Sequence, residues 1–288
     1  MDQPYSDRYW TSPDGLQLHY RDYPGPEGSS AVPALCMHGL TRNSRDFEEL
    51  ADHLARDRRV IVPEMRGRGL SDYAKDSATY TPLVYVADVQ ALLAELELKR
   101  VIAIGTSMGG LMTMFMAAMA PGQIAGAVLN DIGPQVETAG IERISGYVGQ
   151  GRSFPTWMHA ARALQEIQSD AFPNFTIDNW LEMAKRTMVL GQNGRISFDY
   201  DMAIAEPFKD TDNAAPPDLW PAFDALKGAP LLLLRGELSD LLTEATVAEM
   251  ARRHGDMKSV TVAGVGHAPT LDEPESVAAI DELLARIA

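Results

Sequence analysis

Cysteine is nearly absent: the 288-residue chain has one, Cys36. That excludes an intramolecular disulfide and any multi-cysteine metal site. Cys36 stands in the apolar run Ala34-Leu-Cys-Met37, the setting of a buried structural thiol rather than of a nucleophile. Positive charge is scarce as well. The chain has 25 lysines and arginines against 40 aspartates and glutamates, a formal net charge of −15. Nucleic acid and anionic membranes both reward basic patches, so neither is an expected partner. The 6 histidines show no H-E-x-x-H spacing, and neither a metal nor another cofactor is expected. The N-terminal Met1-Asp-Gln-Pro-Tyr-Ser-Asp7 has neither the basic nor the apolar segment of a secretory signal, which makes the cytoplasm the default expectation. Residues 101–122 carry no charge and are long enough for a membrane span, but Gly105, Gly109 and Gly110 interrupt them. A buried strand, a turn and a buried helix fit that stretch better.

What is present reads as alternating strands and helices. Residues 8–23 predict a hairpin turning at Pro13-Asp-Gly15, and buried strands are expected at 34–37, 60–62, 101–104, 125–130, 231–234 and 259–262. Helical spacing falls at 44–56, 81–98, 244–253 and 275–287. The alternation predicts a mostly parallel central sheet flanked by helices, with the hairpin adding antiparallel strands at one edge. Residues 135–221 break the rhythm. They are helical in pattern and hold Trp157, Trp180 and Trp220, so a helical lid inserted between two core strands is expected, with 1–134 and 222–288 as the core.

The most informative passage is Val101-Ile-Ala-Ile-Gly-Thr-Ser-Met-Gly-Gly110. It is G-x-S-x-G running out of a strand and into a helix, the context in which that motif holds a serine in a tight, strained turn above the sheet. A serine hydroxyl needs a general base, and the base needs a group to orient it. In this fold's chain order both lie downstream of Ser107. Of the downstream histidines, His254 sits beside Arg252 and Arg253 on what reads as a solvated helix face, and His159 lies in the expected lid. His267, in the loop Ala263-Gly-Val-Gly-His-Ala-Pro269 after a strand, is the expected base. Asp240, in a loop beyond the strand at 231–234, is the expected acid. Asp131, at the end of the preceding strand, is the alternative, and Glu237 lies close by. The backbone N–H groups of Leu40 and Met108 are the expected oxyanion donors.

Six segments in order, His38-Gly-Leu-Thr41, Arg66-Gly-Arg-Gly-Leu-Ser-Asp72, Gly105-Thr-Ser-Met-Gly109, Asn130-Asp-Ile-Gly-Pro134, Arg235-Gly-Glu-Leu-Ser-Asp240 and Gly266-His-Ala-Pro269, resemble the α/β-hydrolase-fold serine hydrolases of the lid-bearing esterase, lactonase and haloperoxidase-like group. The resemblance covers the core and leaves most of the lid unmatched. It implies Ser107, Asp240 and His267 as the triad. Where relatives commonly carry aspartate before x-Arg-Gly this chain has Glu64, read as a structural variation, and Arg66 reads as a loop brace.

Nucleophile identity narrows the chemistry. Relatives that open epoxides or remove halides use aspartate at the elbow, and related C–C hydrolases typically carry tryptophan after the histidine, where this chain has Ala268. A carboxylesterase-like activity on a small or medium, apolar or aromatic ester leads. Lactone (or enol-lactone) opening, C–C hydrolysis and a hydrolase-derived receptor with little turnover are the alternatives. His38, Trp157, Met158, Trp180 and Met183 are candidate substrate contacts, although packing within the lid is the simpler role for the last four. The partner is thus a small-molecule ester or lactone; monomer and dimer stay equally open.

Overall fold

A computed structural model of the chain describes residues 3–209 and 217–287. Met1, Asp2 and the part of the expected lid at 210–216 lie outside the described residues. The chain opens with the hairpin β1 (Ser6–Thr11) and β2 (Gln17–Tyr23), followed by β3 (Ala34–Met37), α1 (Glu48–Leu54) and β4 (Val60–Pro63). Next come α2 (Pro82–Glu95), β5 (Val101–Thr106), α3 (Met108–Met119) and β6 (Ile124–Asn130). The segment that follows holds α4 (Thr138–Ser145), β7 (Ser153–Phe154), α5 (Trp157–Gln168), α6 (Ile177–Thr187), β8 (Met188–Leu190), β9 (Ile196–Phe198) and α7 (Glu206–Lys209). The chain then closes with α8 (Trp220–Asp224), β10 (Leu231–Gly236), α9 (Glu244–His254), β11 (Met257–Val262) and α10 (Pro274–Leu284).

Among the described residues the main sheet has eight strands in the order β1-β2-β4-β3-β5-β6-β10-β11. Only the β1/β2 and β2/β4 pairings are antiparallel, as the opening hairpin leads one to expect. The central strands are apolar on both faces because helices cover both. Along β5, Val101 and Ala103 enter one core while Ile102 and Ile104 enter the other, and β10 divides Leu231 and Leu233 from Leu232 and Leu234 in the same way.

The insertion between β6 and β10 differs from a purely helical lid. β7, β9 and β8 form a separate three-stranded antiparallel sheet. With α5 and α6 it encloses its own core of Phe154, Leu164, Phe172, Trp180, Met183 and Ile196. Strands of two or three residues are too short to show a period of two, and the longer helices around them dominate the pattern. Trp220, placed by its sequence position in the insertion, begins α8, which packs on α3; Arg253 of α9 stacks over its ring at 4.3 Å. His254, expected on a solvated face, is buried, with its Nε2 bonded to the Leu226 carbonyl at 3.1 Å.

Two buried polar hubs fix the loops beyond β3 and β4, beside the end of β5. The Glu64 carboxylate accepts from the Ser44 hydroxyl and N–H on one oxygen, and from His19 Nδ1 and the Leu70 N–H on the other. Burial raises its pKa, but these bonds, His19 foremost, more than offset that and hold it at about 2. Arg66 is bidentate to buried Asp88 and again to Asp14, so it does brace its loop. His38 is sealed from water. Its Nδ1–H donates to the Gly39 carbonyl at 2.7 Å and its Nε2 accepts the Met65 N–H at 3.0 Å, joining the two loops.

Burial pulls the His38 pKa down to about 4, so the ring is neutral in the fold while the unfolded chain's histidine protonates near 6.5. Between those values the unfolded state binds the extra proton, and stability must rise with pH across that window. The contribution reaches roughly 3 kcal/mol above it. His19 acts in the opposite sense: its pKa is raised, since its two carboxylate partners outweigh burial, and its contribution is lost only as pH rises through that higher value. Urea unfolding of the protein and of His38→Gln from pH 4 to 7 should show a shallower slope in the variant; equal slopes would remove His38 from this role.

Candidate active site

Ser107 sits between β5 and α3 with φ +52° and ψ −113°, a left-handed conformation that is strained for a residue with a side chain. Gly105 and Gly109 make that turn possible. A Cβ on Gly105 would strike the Gly109 backbone, and one on Gly109 would strike the Met37 carbonyl of β3. The Ser107 N–H donates to the Asn130 carbonyl at 2.9 Å, which anchors the turn to the end of β6.

His267 reaches Ser107 from the loop beyond β11, its Nε2 2.8 Å from the serine Oγ. Asn130 stabilises that loop by donating to the Pro269 carbonyl at 2.8 Å. The other imidazole nitrogen, Nδ1, lies 2.8 Å from Asp131 Oδ2. Asp131 is wholly buried at the end of β6, with φ +54° and its N–H on the Leu234 carbonyl. Its carboxylate also accepts from the Gly236 N–H at 3.0 Å and from the Ser239 hydroxyl at 2.6 Å.

The residue that the sequence favours as the acid, Asp240, therefore does not face the histidine. Its carboxylate takes a bidentate bond from Arg143 of α4, one arm at 2.9 Å. Burial raises the Asp240 pKa, and the Arg143 hydrogen bonds reverse this and leave it lowered. The correction has a topological cause. β6 lies between β5, which carries Ser107, and β10, so the first residue beyond β6 can turn across the sheet top toward the histidine. Asp240 stands further along its loop, where the insertion claims it. Glu237 is exposed and accepts the Gly264 N–H instead.

The peptide joining Gly39 and Leu40 lies beside Ser107 in the same cleft. Its carbonyl takes the His38 Nδ1–H and the Arg42 N–H, the latter at 3.2 Å. In a trans peptide the N–H points opposite the carbonyl, so these bonds fix the direction of the Leu40 N–H. Arg68, fully buried, fixes the next carbonyl, that of Leu40, through its Nε at 2.9 Å. Met108 opens α3, where its N–H has no turn of helix before it to accept it.

Of the other candidate contacts, only Met183 lines the cleft. His38 is buried beneath the loop and has both ring nitrogens engaged. Trp180 is enclosed by Phe172 and Phe175 in the insertion's own core. Trp157 packs against that core, and Met158 is exposed to solvent. The residues that do form the walls include Arg42, Tyr147, Gln168, Phe172 and Arg186. Their side chains converge from elements far apart in sequence, and single positions on helix faces give no local signal. Arg42 alone adjoins a recognisable segment. Cys36 is fully buried, with its thiol pKa raised by that burial, and takes no part. Among the described residues, no cluster of metal-ligating side chains occurs and no helix is long and apolar enough to cross a membrane.

Comparison with known proteins accords with this geometry. Over 275 residues the chain is 37% identical to the 3-hydroxybutyrate-oligomer hydrolase of Cupriavidus necator, covering 93% of this chain and 92% of that one. The 2-(acetamidomethylene)succinate hydrolase of Mesorhizobium japonicum is 28% identical over 250 residues, 86% of each chain. A crystal structure of an alpha/beta hydrolase from Novosphingobium aromaticivorans superposes with a TM-score of 0.95 at 60% identity, covering 100% of both chains. The model of the alpha/beta hydrolase family matches residues 34–280. With its parallel sheet, strained serine and histidine beyond the last strand, the chain belongs to the alpha/beta hydrolase family and is a hydrolase.

Proposed function

We propose that the protein is a serine esterase that cleaves short oligoesters of hydroxy acids through an acyl-enzyme. The hydrogen-bonded chain Ser107–His267–Asp131 carries this reading. The Ser107 oxygen attacks the ester carbonyl while His267 Nε2 takes the hydroxyl proton. Asp131 holds Nδ1–H, fixing the tautomer and stabilising the imidazolium that forms. The negative charge on the carbonyl oxygen is met by the N–H groups of Leu40 and Met108. The C–O bond then breaks and His267 returns the proton to the leaving alcohol. Water, deprotonated by His267, next attacks the acyl-serine; the acid leaves and Ser107 recovers its proton.

Similarity to the oligomer hydrolase, which extends over nearly the whole of both chains, supports the substrate class. The size of the cleft supports a short acyl group. It measures about 90 Å³, narrower than the ~300–1,000 Å³ usual of ligand pockets. Residues 135–209 act as a cap: Tyr147, Phe172, Met183 and Arg186 bring it against the serine, while Arg143 ties it to the core through Asp240.

A fluorophosphonate probe should form one adduct on the folded protein and none on Ser107→Ala. An adduct that survives that substitution would overturn the assignment. In p-nitrophenyl butyrate hydrolysis Asp131→Asn should lower kcat by about 10⁴-fold and Asp240→Asn by less than about ten-fold, because only Asp131 fixes the imidazole. The reverse order would return the acid to the end of β10. Ser239→Ala should lower kcat about ten-fold with little change in KM, since it removes one bond from the buried carboxylate.

A further inference from the structure

We infer that the substrate of this site carries a free carboxylate, held by the guanidinium of Arg186 with Arg42 beside it. The inference rests on the esterase reading and adds the charge of the ligand to it.

Charge at the cleft runs against that of the chain. Overall the protein carries −15, yet the fixed charges in the cleft wall are Arg42, Arg186 and Asp46. Arg42 and Asp46 neutralise each other through a bidentate pair at 2.6 and 2.7 Å. The other cation in the cleft wall is Arg186, whose carboxylate partners, Glu49 and Asp272, stand outside that wall. A guanidinium in a concave site attracts an anionic group of a bound ligand locally, against the net charge of the whole protein.

Of the two arginines in the cleft wall, Arg42 bonds its carboxylate through two nitrogens and Arg186 through one, and arginines elsewhere in the fold are also more fully engaged. Arg66 uses both arms on Asp88 and both on Asp14, and Arg143 closes a two-bond pair with Asp240. Both carboxylates that reach Arg186 do so through Nη2: Glu49 at 2.6 Å and Asp272 at 3.3 Å. Glu49 is largely exposed, 64% for its side chain, and neither residue is part of the cleft wall. A solvated partner on one nitrogen is readily exchanged, whereas a ligand carboxylate inside the cleft would pair where water is scarce. A planar guanidinium suits two parallel bonds to one carboxylate. Arg186 stands in the last turn of α6 and lines the same cleft as Ser107 and the Leu40 peptide, so a ligand with its ester at Ser107 can carry its charge to the guanidinium.

A free-acid dimer of 3-hydroxybutyrate has this form: cleavage at its ester places the carboxylate on the leaving alcohol. The test compares kcat/KM for that dimer with its methyl ester, alongside p-nitrophenyl butyrate. The dimer acid should be preferred about ten-fold or more, and the preference should shrink as salt is raised. Arg186→Gln should collapse the ratio of acid to methyl ester. Glu49→Gln, which breaks the same link between α6 and α1 but keeps the guanidinium, should hold or raise it. Equal loss of the ratio in both variants would make Arg186 a clamp for the cap and overturn the inference. So would an unmodified protein that cleaves the methyl ester as well as the acid. Failure to cleave any of the three esters would instead overturn the esterase reading. Should Arg186→Gln not fold, the salt dependence and the acid-to-methyl ratio of the unmodified protein decide the matter alone.

Discussion

The hydrogen bond between His267 and Asp131 is the contact around which the catalytic edge is organised. Asp131 has no exposure to water, so its charge is tolerable only because every direction around the carboxylate is met: the imidazole, the Ser239 hydroxyl and the Gly236 N–H. Those donors come from the loop beyond β11 and from the end of β10 with the loop beyond it, and the acceptor stands at the end of β6. The loop beyond β11, the loop beyond β10 and the end of β6 are thereby drawn to one point. Ser239 in turn accepts the N–H groups of Leu241 and Leu242, which orders the loop that carries Asp240 toward the insertion. A single buried charge thus sets the shape of the whole sheet edge.

Asp240 shows how a residue in a familiar segment can serve a different purpose. Its loop stands at the end of β10, but its carboxylate joins Arg143 of α4. One loop therefore contributes Ser239 to the Asp131 carboxylate and Asp240 to the insertion. On the other side, Arg45 reaches the insertion through the Arg186 and Met188 carbonyls and the Asp199 carboxylate. Polar links of this kind flank the cleft, while the apolar core of Trp180 and its neighbours lies within the insertion itself.

Much of this was legible in the residues. The strand pattern and the opening hairpin follow from apolar runs and turn residues, and Ser107 and His267 from short segments whose geometry is local. Asp131 and Asp240 could not be separated in that way. Each follows a strand that ends at the same sheet edge, and the choice depends on where Arg143 lands, a contact across nearly a hundred positions of chain. His38 orders its loop, as its position there suggests, but does not face the cleft as a substrate contact, for a related reason. Its place in the loop is local, but its burial is a property of the packed fold. The insertion's short strands and the wall formed by Arg42, Tyr147 and Arg186 arise only from tertiary packing, which leaves no periodic trace.

The clamp on the Gly39–Leu40 peptide has a consequence of its own. His38 and the Arg42 N–H hold its carbonyl, and Arg68 holds the Leu40 carbonyl that follows. With both carbonyls held, the Leu40 N–H keeps one direction. That direction is set when the chain folds, and the cost of ordering the peptide falls on the stability of the protein.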